Sequence, residues 1–178
     1  MKSRAYFAAG CFWCTEAIFS RINGVIKVTP GYTGGNIKNP SYKEVCMGHT
    51  GHAEGVEVVY ESSTISYETL VLIFFTTHDP TTINRQGNDI GTQYRSAIFY
   101  NSKNEKEIIS KVLDKIKNKS LFKNPIVTEI SPISTFYRAE KEHMAFFEIN
   151  NQHPYCQAII SPKIKKFIKN YENFIIKN

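Results

Sequence analysis

The sequence predicts an α+β fold, in which helices pack on a mixed β-sheet within a single domain that spans residues 1–178. A chain of 178 residues has the usual size of one domain. Hydrophobic residues make up 42% of it, which suffices for a packed interior and excludes a disordered chain. Strand and helix patterns follow each other without the strict alternation of a parallel α/β protein, which favours the α+β class.

The first part of the chain predicts three strands and a helix. The strands are Arg4–Ala9, Val25–Tyr32 and Ala53–Tyr60, each with the apolar and β-branched residues of half-buried strands. The helix begins after Gly10, shows apolar residues at near-helical spacing and stops at Asn23-Gly24. The chain therefore passes from a strand through a tight turn into a helix.

The second part predicts three helices and two further strands. Ser66 caps a helix that ends near Pro80, Ser102 and Glu105 form a capping box for the next helix, and Ser161-Pro162 opens the last, which continues to Ile175. The strands are Tyr94–Tyr100 and Ile126–Ile130. Packed together, these helices and strands predict a two-layer arrangement of helices on a sheet.

The charge distribution argues against an acidic partner. The net charge is +6, but lysines outnumber arginines 17 to 5 and no aromatic residues alternate with them for base stacking. No segment approaches the ~20 apolar residues of a membrane span. The apolar stretch from Ala5 to Cys14 is broken by Thr15 and Glu16 and does not fit a signal segment. We therefore expect a cytoplasmic protein that binds neither nucleic acid nor membrane.

Cys11 and Cys14 stand where the first strand passes into the helix. The positive end of the helix dipole favours a thiolate there and is predicted to lower the pKa of Cys11 from ~8.5 by about one unit. The chain is large enough to fold without disulfide bonds, so its cysteines are expected to be reduced, metal-bound or reactive. Three functions fit the spacing: dithiol exchange, a zinc site completed by Cys46 and His49, and a thiol enzyme.

Glu54 favours the thiol enzyme. In the third predicted strand, Glu54 shares a face with Val56 and Val58, whereas Glu57 points to the other face. If the valine face is interior, burial disfavours the ionised carboxylate and raises its pKa. We therefore predict that Glu54 is protonated near neutral pH and can donate a proton.

Several motifs carry a resemblance to a known family. They are Gly10-Cys11-Phe12-Trp13, Gly31-Tyr32-x-Gly34-Gly35, Asn39-Pro40-x-Tyr42, Val45-Cys46, Thr50-Gly51-His52-Ala53-Glu54, His78-Asp79-Pro80-Thr81 and the segment from Arg85 to Ser96. In order and spacing they resemble the peptide methionine sulfoxide reductases of the A type, from about Tyr6 to Lys166. The resemblance implies reduction of methionine-S-sulfoxide, free or in proteins, on a ferredoxin-like α+β sandwich without metal or organic cofactor.

The resemblance also implies roles for individual residues. Cys11 would attack the sulfoxide sulfur, and Glu54 would protonate the oxygen. The implied supporting residues are Tyr42 and Tyr94, whose hydroxyls flank the oxygen, Asp89 on the polar side, and Phe12 and Trp13, which form a wall for the methyl group of the substrate.

Recycling requires a second thiol, because the reaction leaves Cys11 as a sulfenic acid. By resemblance we expect Cys156 to form the disulfide, from a loop that swings to the site, with Cys14 as the alternative and Cys46 as a structural residue. The implied reductant is thioredoxin, acting on a monomer. A redox-sensing or sulfoxide-binding module without turnover is the competing hypothesis.

Overall fold

The computed structural model describes residues 1–176, so that Lys177 and Asn178 of the predicted domain lie outside the described residues. Its strands are β1 (Lys2–Ala9), β2 (Val25–Thr33), β3 (Ala53–Glu61), β4 (Arg85–Gln86), β5 (Asp89–Ile90), β6 (Ser96–Tyr100), β7 (Glu129–Pro132) and β8 (Tyr137–Arg138). Its α-helices are α1 (Phe12–Phe19), α2 (Tyr42–Cys46), α3 (Tyr67–Thr76), α4 (Lys103–Asn118), α5 (Phe146–Ile149) and α6 (Ser161–Asn170).

Six strands form one sheet in the order β7-β6-β1-β3-β2-β8. β1 pairs antiparallel with β3 and β6, β2 pairs antiparallel with β3, and β7 lies parallel to β6. The predicted mixed sheet is therefore confirmed. Its central part follows the β-α-β-β-α-β order of ferredoxin-like folds, into which α2 and the β4–β5 hairpin are inserted.

The helices cover one face of the sheet and form the main core with it. α1, α3, α4 and α6 all contribute buried residues to this core. Phe7 of β1 lies between two of these helices, with its ring centroid 5.0 Å from that of Phe19 and 5.3 Å from that of Phe74. The opposite face holds a smaller cluster around Phe99, which residues 133–136 cover. The predicted two-layer sandwich is thus present.

Truncation of Phe7 tests this packing. Phe7 is 1% exposed, so Phe7→Ala removes a buried ring and leaves a cavity between sheet and helices. We expect the free energy of unfolding to fall by about 3–5 kcal/mol in denaturant titrations. The control is Leu72→Ala on the exposed side of α3, where a change of less than about 1 kcal/mol is expected. An equal effect of the two variants would contradict this description of the core.

Three predicted boundaries are wrong. The strand predicted from Tyr94 begins at Ser96, because Tyr94 closes a 3₁₀ turn and donates its backbone N–H to the carbonyl of Gly91 at 3.0 Å. The strand predicted at 126–130 lies at Glu129–Pro132, where it pairs with β6. The last helix ends at Asn170, and the chain beyond it forms a bridge between Ile175 and Ile22.

The strands predicted at Arg4–Ala9, Val25–Tyr32 and Ala53–Tyr60 are confirmed within two residues. Within residues 1–176, no helix is both long and apolar enough to cross a membrane.

Candidate active site

Cys11 lies at the turn between β1 and α1. Gly10 makes this turn with φ +88°, in the left-handed region that favours glycine, and a Cβ atom there would come within 2.6 Å of Gln86 Cγ. Cys11 then caps α1, and its carbonyl oxygen accepts the backbone N–H of Cys14 at 3.1 Å. The predicted passage from strand through glycine into helix is thereby confirmed.

The Cys11 thiol is almost fully buried, since the residue is 8% exposed. Burial is the main cause that raises its pKa, and hydrogen bonding with Cys14 and the charge of Glu54 raise it further. A backbone hydrogen bond from Trp13 lowers it. The predicted lowering of the Cys11 pKa is therefore wrong for the free protein, because loss of hydration outweighs the ~1 kcal/mol that a helix terminus supplies.

Cys14 has the opposite shift. Its hydrogen bond with Cys11 is the main cause that lowers the pKa of Cys14, and the ammonium group of Lys163 lowers it as well. Lys163 and Cys14 line the same small cavity. The two thiols therefore form a coupled pair, in which Cys14 carries a negative charge more readily and Cys11 keeps the proton.

Glu54 lies on β3 directly below the start of α1. It is 1% exposed, and its Oε2 accepts the backbone N–H of Phe12 at 3.1 Å. Burial raises the pKa of Glu54 to about 8, although this hydrogen bond acts in the opposite direction. The predicted interior position is confirmed, and the carboxyl is mostly protonated at neutral pH.

The hydroxyls of Tyr42 and Tyr94 belong to the same site. Both residues are half-buried, and burial is the main cause that raises the pKa of each phenol, followed by the charge of Glu54. Both phenols therefore remain protonated over the physiological range and can donate hydrogen bonds. Tyr42 begins α2, whereas Tyr94 ends the 3₁₀ turn before β6.

Sequence reasoning missed the residues that hold Tyr42 in place. The Glu140 carboxylate accepts the backbone N–H of Tyr42 and the hydroxyl of Tyr32, each at 2.9 Å. Tyr32 was recognisable as part of the Gly31-Tyr32 motif. Glu140 lies 98 residues beyond Tyr42, and no local pattern indicates this contact.

Asp89 lies on β5 and connects the hairpin to the carboxyl-terminal segment. Its Oδ2 accepts the hydroxyl of Tyr155 at 2.6 Å. The same hydroxyl lies 3.8 Å from the sulfur of Cys14. Tyr155 is therefore a site residue that the sequence reasoning missed, although it is the neighbour of Cys156.

Phe12 and Trp13 occupy different environments. Phe12 is fully buried, with its ring centroid 5.2 Å from that of His143. Trp13 is partly exposed, donates its indole N–H to His143 Nδ1 at 3.1 Å and stacks on Phe146 with 3.7 Å between centroids. Of the predicted wall, only Trp13 is partly exposed, and Phe12 supports the site from the core. The short helix α5 that carries Phe146 was not predicted.

The position of Cys156 corrects an expectation. Cys156 begins a π-helical turn, Cys156–Ile160, that leads directly into α6, and it is 0% exposed. It therefore does not lie in the predicted loop. Cys11, Cys14 and Cys156 belong to one apolar cluster, whereas Cys46 is exposed and lies outside it. In the described residues 1–176, no three His, Cys, Asp or Glu side chains are grouped to hold a metal ion.

Comparisons with known proteins identify the family of the chain. The family model "Peptide methionine sulfoxide reductase" matches residues 3–174. The peptide methionine sulfoxide reductase MsrA of Sulfolobus acidocaldarius is 50% identical over 167 residues, which cover 94% of each chain.

Solved structures show the same fold. Reduced Mxr1 from Saccharomyces cerevisiae superposes with a TM-score of 0.79 at 36% identity, over 87% of this chain and 89% of the yeast chain. Mxr1 in complex with Trx2 superposes with a TM-score of 0.55 at 26% identity, over 82% and 84% of the two chains. The chain belongs to the peptide methionine sulfoxide reductase family, which the model match and these similarities show over most of its length.

Proposed function

We propose that this chain reduces methionine-S-sulfoxide, free or in proteins, with Cys11 as the nucleophile and Glu54 as the proton donor. Membership of the family makes the chain an oxidoreductase that acts on methionine sulfoxide. The proposal for the two residues is carried by the 3.1 Å hydrogen bond between Glu54 and the backbone of Phe12. This bond holds a carboxyl with a pKa of about 8 beside the residue that follows Cys11.

The chemical step conserves atoms and electrons. The Cys11 thiolate attacks the sulfoxide sulfur and forms a sulfur–sulfur bond, and the sulfur–oxygen bond of the substrate breaks as Glu54 protonates the oxygen. The hydroxide that is released then attacks the Cys11 sulfur and breaks the sulfur–sulfur bond, so that the oxygen ends on Cys11 as a sulfenic acid and the substrate leaves as a thioether. Two electrons pass from the Cys11 sulfur to the substrate sulfur, and Glu54 later recovers its proton from solvent.

The dithiol pair can supply the thiolate. In the free protein Cys14 carries negative charge more readily than Cys11, which retains the proton. Transfer of this proton from Cys11 to Cys14 generates the nucleophile without an external base. Cys14 thus assists the first step before it takes part in any disulfide.

The remaining roles follow from the side chains around this pair. Tyr42 and Tyr94 stay protonated and donate hydrogen bonds to the sulfoxide oxygen, as charge develops on it in a buried site. Trp13 provides an apolar face for the methyl group of the substrate. Asp89 orients the polar side of the site through its hydrogen bond with Tyr155.

We further propose that a thioredoxin restores the enzyme after Cys156 has entered a disulfide. The crystal structure of the yeast relative with Trx2 supports this choice of reductant. The four free cysteines suit a reducing compartment, so we propose that the protein is cytoplasmic. We also propose that it acts as a monomer with one catalytic domain. We propose no metal, organic cofactor, nucleic acid or membrane as a partner.

The test uses the two separated epimers of methionine sulfoxide with dithiothreitol as reductant. We expect turnover of the S epimer and at least about 100-fold slower turnover of the R epimer. Only the S epimer can place its sulfoxide oxygen at the hydroxyls of Tyr42 and Tyr94 and its methyl group at Trp13 at the same time. Methionine is measured by chromatography. Formation of no methionine from either epimer, by protein whose thiols titrate as free, would contradict the proposal and favour a sulfoxide-binding module.

A further inference from the structure

A cavity that takes no part in the proposed reaction lies between the end of α3, the segment 121–124 and α6. Its volume is about 500 Å³, and we call it the lysine cavity because Lys123, Lys163 and Lys166 line it. We propose that the lysine cavity binds a small organic phosphate, with the phosphate group among the ammonium groups of these three residues. The ligand is held without a covalent bond, and its binding does not depend on sulfoxide reduction.

The positive charge of the lysine cavity comes from two separate parts of the chain. Lys163 and Lys166 are three residues apart and so lie on one side of α6, and Lys123 comes from the segment after α4. Lys165 and Lys169 of the same helix do not line the cavity. Among the residues that the structure describes, no carboxylate forms an ion pair with any of the three lining lysines. Their charges are therefore available to an anion from solution.

The other charged or titratable groups of the cavity leave most of this charge uncompensated. Asp79 contributes one carboxylate, and its Oδ1 accepts the backbone N–H of Thr81 at 2.9 Å and its hydroxyl at 2.5 Å. Burial is the main cause that lowers the pKa of His78 to about 4, so that its ring is neutral at pH 7. Three ammonium groups and one carboxylate leave a net charge of +2. A phosphate monoester carries about −1.5 to −2 at pH 7 and matches this charge better than a single carboxylate does.

The size of the lysine cavity favours an organic phosphate over the inorganic ion. Cavities of about 300–1,000 Å³ are typical of sites for organic ligands, and inorganic phosphate would fill only a small part of this one. Half-buried Phe122 and Tyr171 and exposed Leu121 offer apolar surface in the same cavity as the lysines. Asn124 and Asn170 add amide groups that can bind neutral polar groups of a ligand. The lining therefore fits a molecule that combines a phosphate with an apolar or aromatic part.

Lys163 also connects the lysine cavity with the thiol pair. It lines the small cavity against Cys14 as well as the lysine cavity. The hydrogen bond with Cys11 is the main cause that lowers the pKa of Cys14, and the charge of Lys163 lowers it further. A phosphate that pairs with Lys163 therefore competes with the Cys14 thiolate for this ammonium group.

The experiment titrates the reduced full-length protein with AMP by isothermal titration calorimetry, in a buffer that contains no phosphate and no substrate. We expect one saturable site with a Kd below about 1 mM. Adenosine lacks the phosphate and inorganic phosphate lacks the organic part, so each should bind at least about tenfold more weakly than AMP. The proposal is overturned if no saturable binding occurs up to about 10 mM AMP, or if either control compound binds as tightly as AMP.

Substitutions on one helix locate the site. Lys163→Gln should raise the Kd for AMP about tenfold, because a half-buried ammonium group forms a strong charge-assisted hydrogen bond with phosphate. Lys166→Gln should raise it about threefold, since this ammonium group is exposed. Lys169→Gln is the matched control, which removes the same charge from α6 outside the cavity and should leave the Kd unchanged. An equal effect of all three variants would show that AMP responds to the general charge of the helix, and would overturn the site.

A second variant keeps the test valid if Lys163→Gln does not fold, as circular dichroism would show. Lys123 and Lys166 are both exposed, so their joint replacement by glutamine should preserve the fold and raise the Kd for AMP about tenfold. An unchanged Kd in this double variant would also overturn the site.

Removal of the Cys14 charge tests the competition for Lys163. Cys14→Ser should bind AMP about twofold to fivefold more tightly than the wild type at pH 8, because no thiolate then competes for the ammonium group. Cys46→Ser removes an exposed thiol outside the buried cluster and should leave the Kd unchanged. Equal affinity of the wild type and Cys14→Ser would contradict the competition. Loss of sulfoxide reduction alters none of these measurements, so the failure of the proposed function and that of the phosphate site are distinguishable.

Discussion

Replacement of Cys11 by serine is expected to lower kcat/KM for methionine-S-sulfoxide by at least about 10⁴-fold, with dithiothreitol as well as with a thioredoxin. A serine hydroxyl is not ionised at neutral pH and cannot take up the sulfoxide oxygen as a thiol does. The loss should therefore not depend on the reductant. A variant that failed only in recycling would retain turnover with a small dithiol.

The control for this prediction is Cys46→Ser, which removes an exposed thiol outside the buried cluster and keeps a hydroxyl for the hydrogen bond with Tyr42. We expect it to keep the rate of the wild type within about twofold, because an exposed substitution rarely alters the fold. Steady-state rates are measured with each reductant, and circular dichroism verifies that both variants fold. Substantial reduction of sulfoxide by folded Cys11→Ser would remove Cys11 from the role of nucleophile.

The position of Cys11 and Glu54 was predictable because both depend on short-range patterns. A glycine between an apolar strand and a helix places Cys11 at the helix start, and strand alternation places Glu54 on the face of Val56. Neither prediction requires knowledge of a distant contact. The pKa of Cys11 was not predictable in this way, because its direction depends on how deeply the folded chain buries the thiol.

The surroundings of Cys156 depend on contacts between distant parts of the chain. The segment before Pro162 lacks an apolar period that would indicate a helix, and its π-helical turn is assembled as an extension of α6 against α1. The stacking of Phe146 on Trp13 joins residues that are 133 positions apart. Contacts of this kind arise from packing, and a local pattern in the sequence carries no signal for them.

Removal of the Glu54 carboxyl is the second substitution with a large expected effect. Glu54→Ala should slow the single-turnover reduction of methionine-S-sulfoxide by about 10²–10⁴-fold, because the oxygen then departs without a positioned proton donor. Glu54→Gln should retain considerably more activity, since its amide can still donate a hydrogen bond to the oxygen. Equal rates for the wild type and Glu54→Ala would exclude Glu54 as the acid.

The pH dependence of the reaction rate provides a second test of Glu54 as the acid. The pKa of Glu54 is about 8, so the protonated fraction of the carboxyl falls as the pH rises through that value. In Glu54→Gln the rate should rise with pH as the Cys11 thiolate forms, because the amide does not titrate. The wild-type rate should rise in the same way only up to about pH 8 and should level off above it, because the loss of the Glu54 proton offsets the gain in thiolate. Glu16→Gln is the matched control. Burial raises the pKa of Glu16 to about 7, so that it resembles Glu54 as a buried carboxyl. Its carboxyl accepts the backbone N–H of Ala145, however, and lies away from Cys11.

Stability measurements test the same carboxyl without reference to catalysis. The folded pKa of Glu54, about 8, exceeds its usual value of 4.5, so the folded protein holds this proton over a range in which the unfolded chain has lost it. The resulting stabilisation of the folded state is fully present below pH 4.5 and is lost as the pH rises toward about 8. From pH 5 to pH 7, the wild type should therefore lose about 2–3 kcal/mol more unfolding free energy than Glu54→Gln. If the unfolding free energies of the two proteins changed in parallel with pH, Glu54 would be ionised in the folded state. An ionised carboxylate has no proton to give to the sulfoxide oxygen, so this result would contradict the role of Glu54 as the acid.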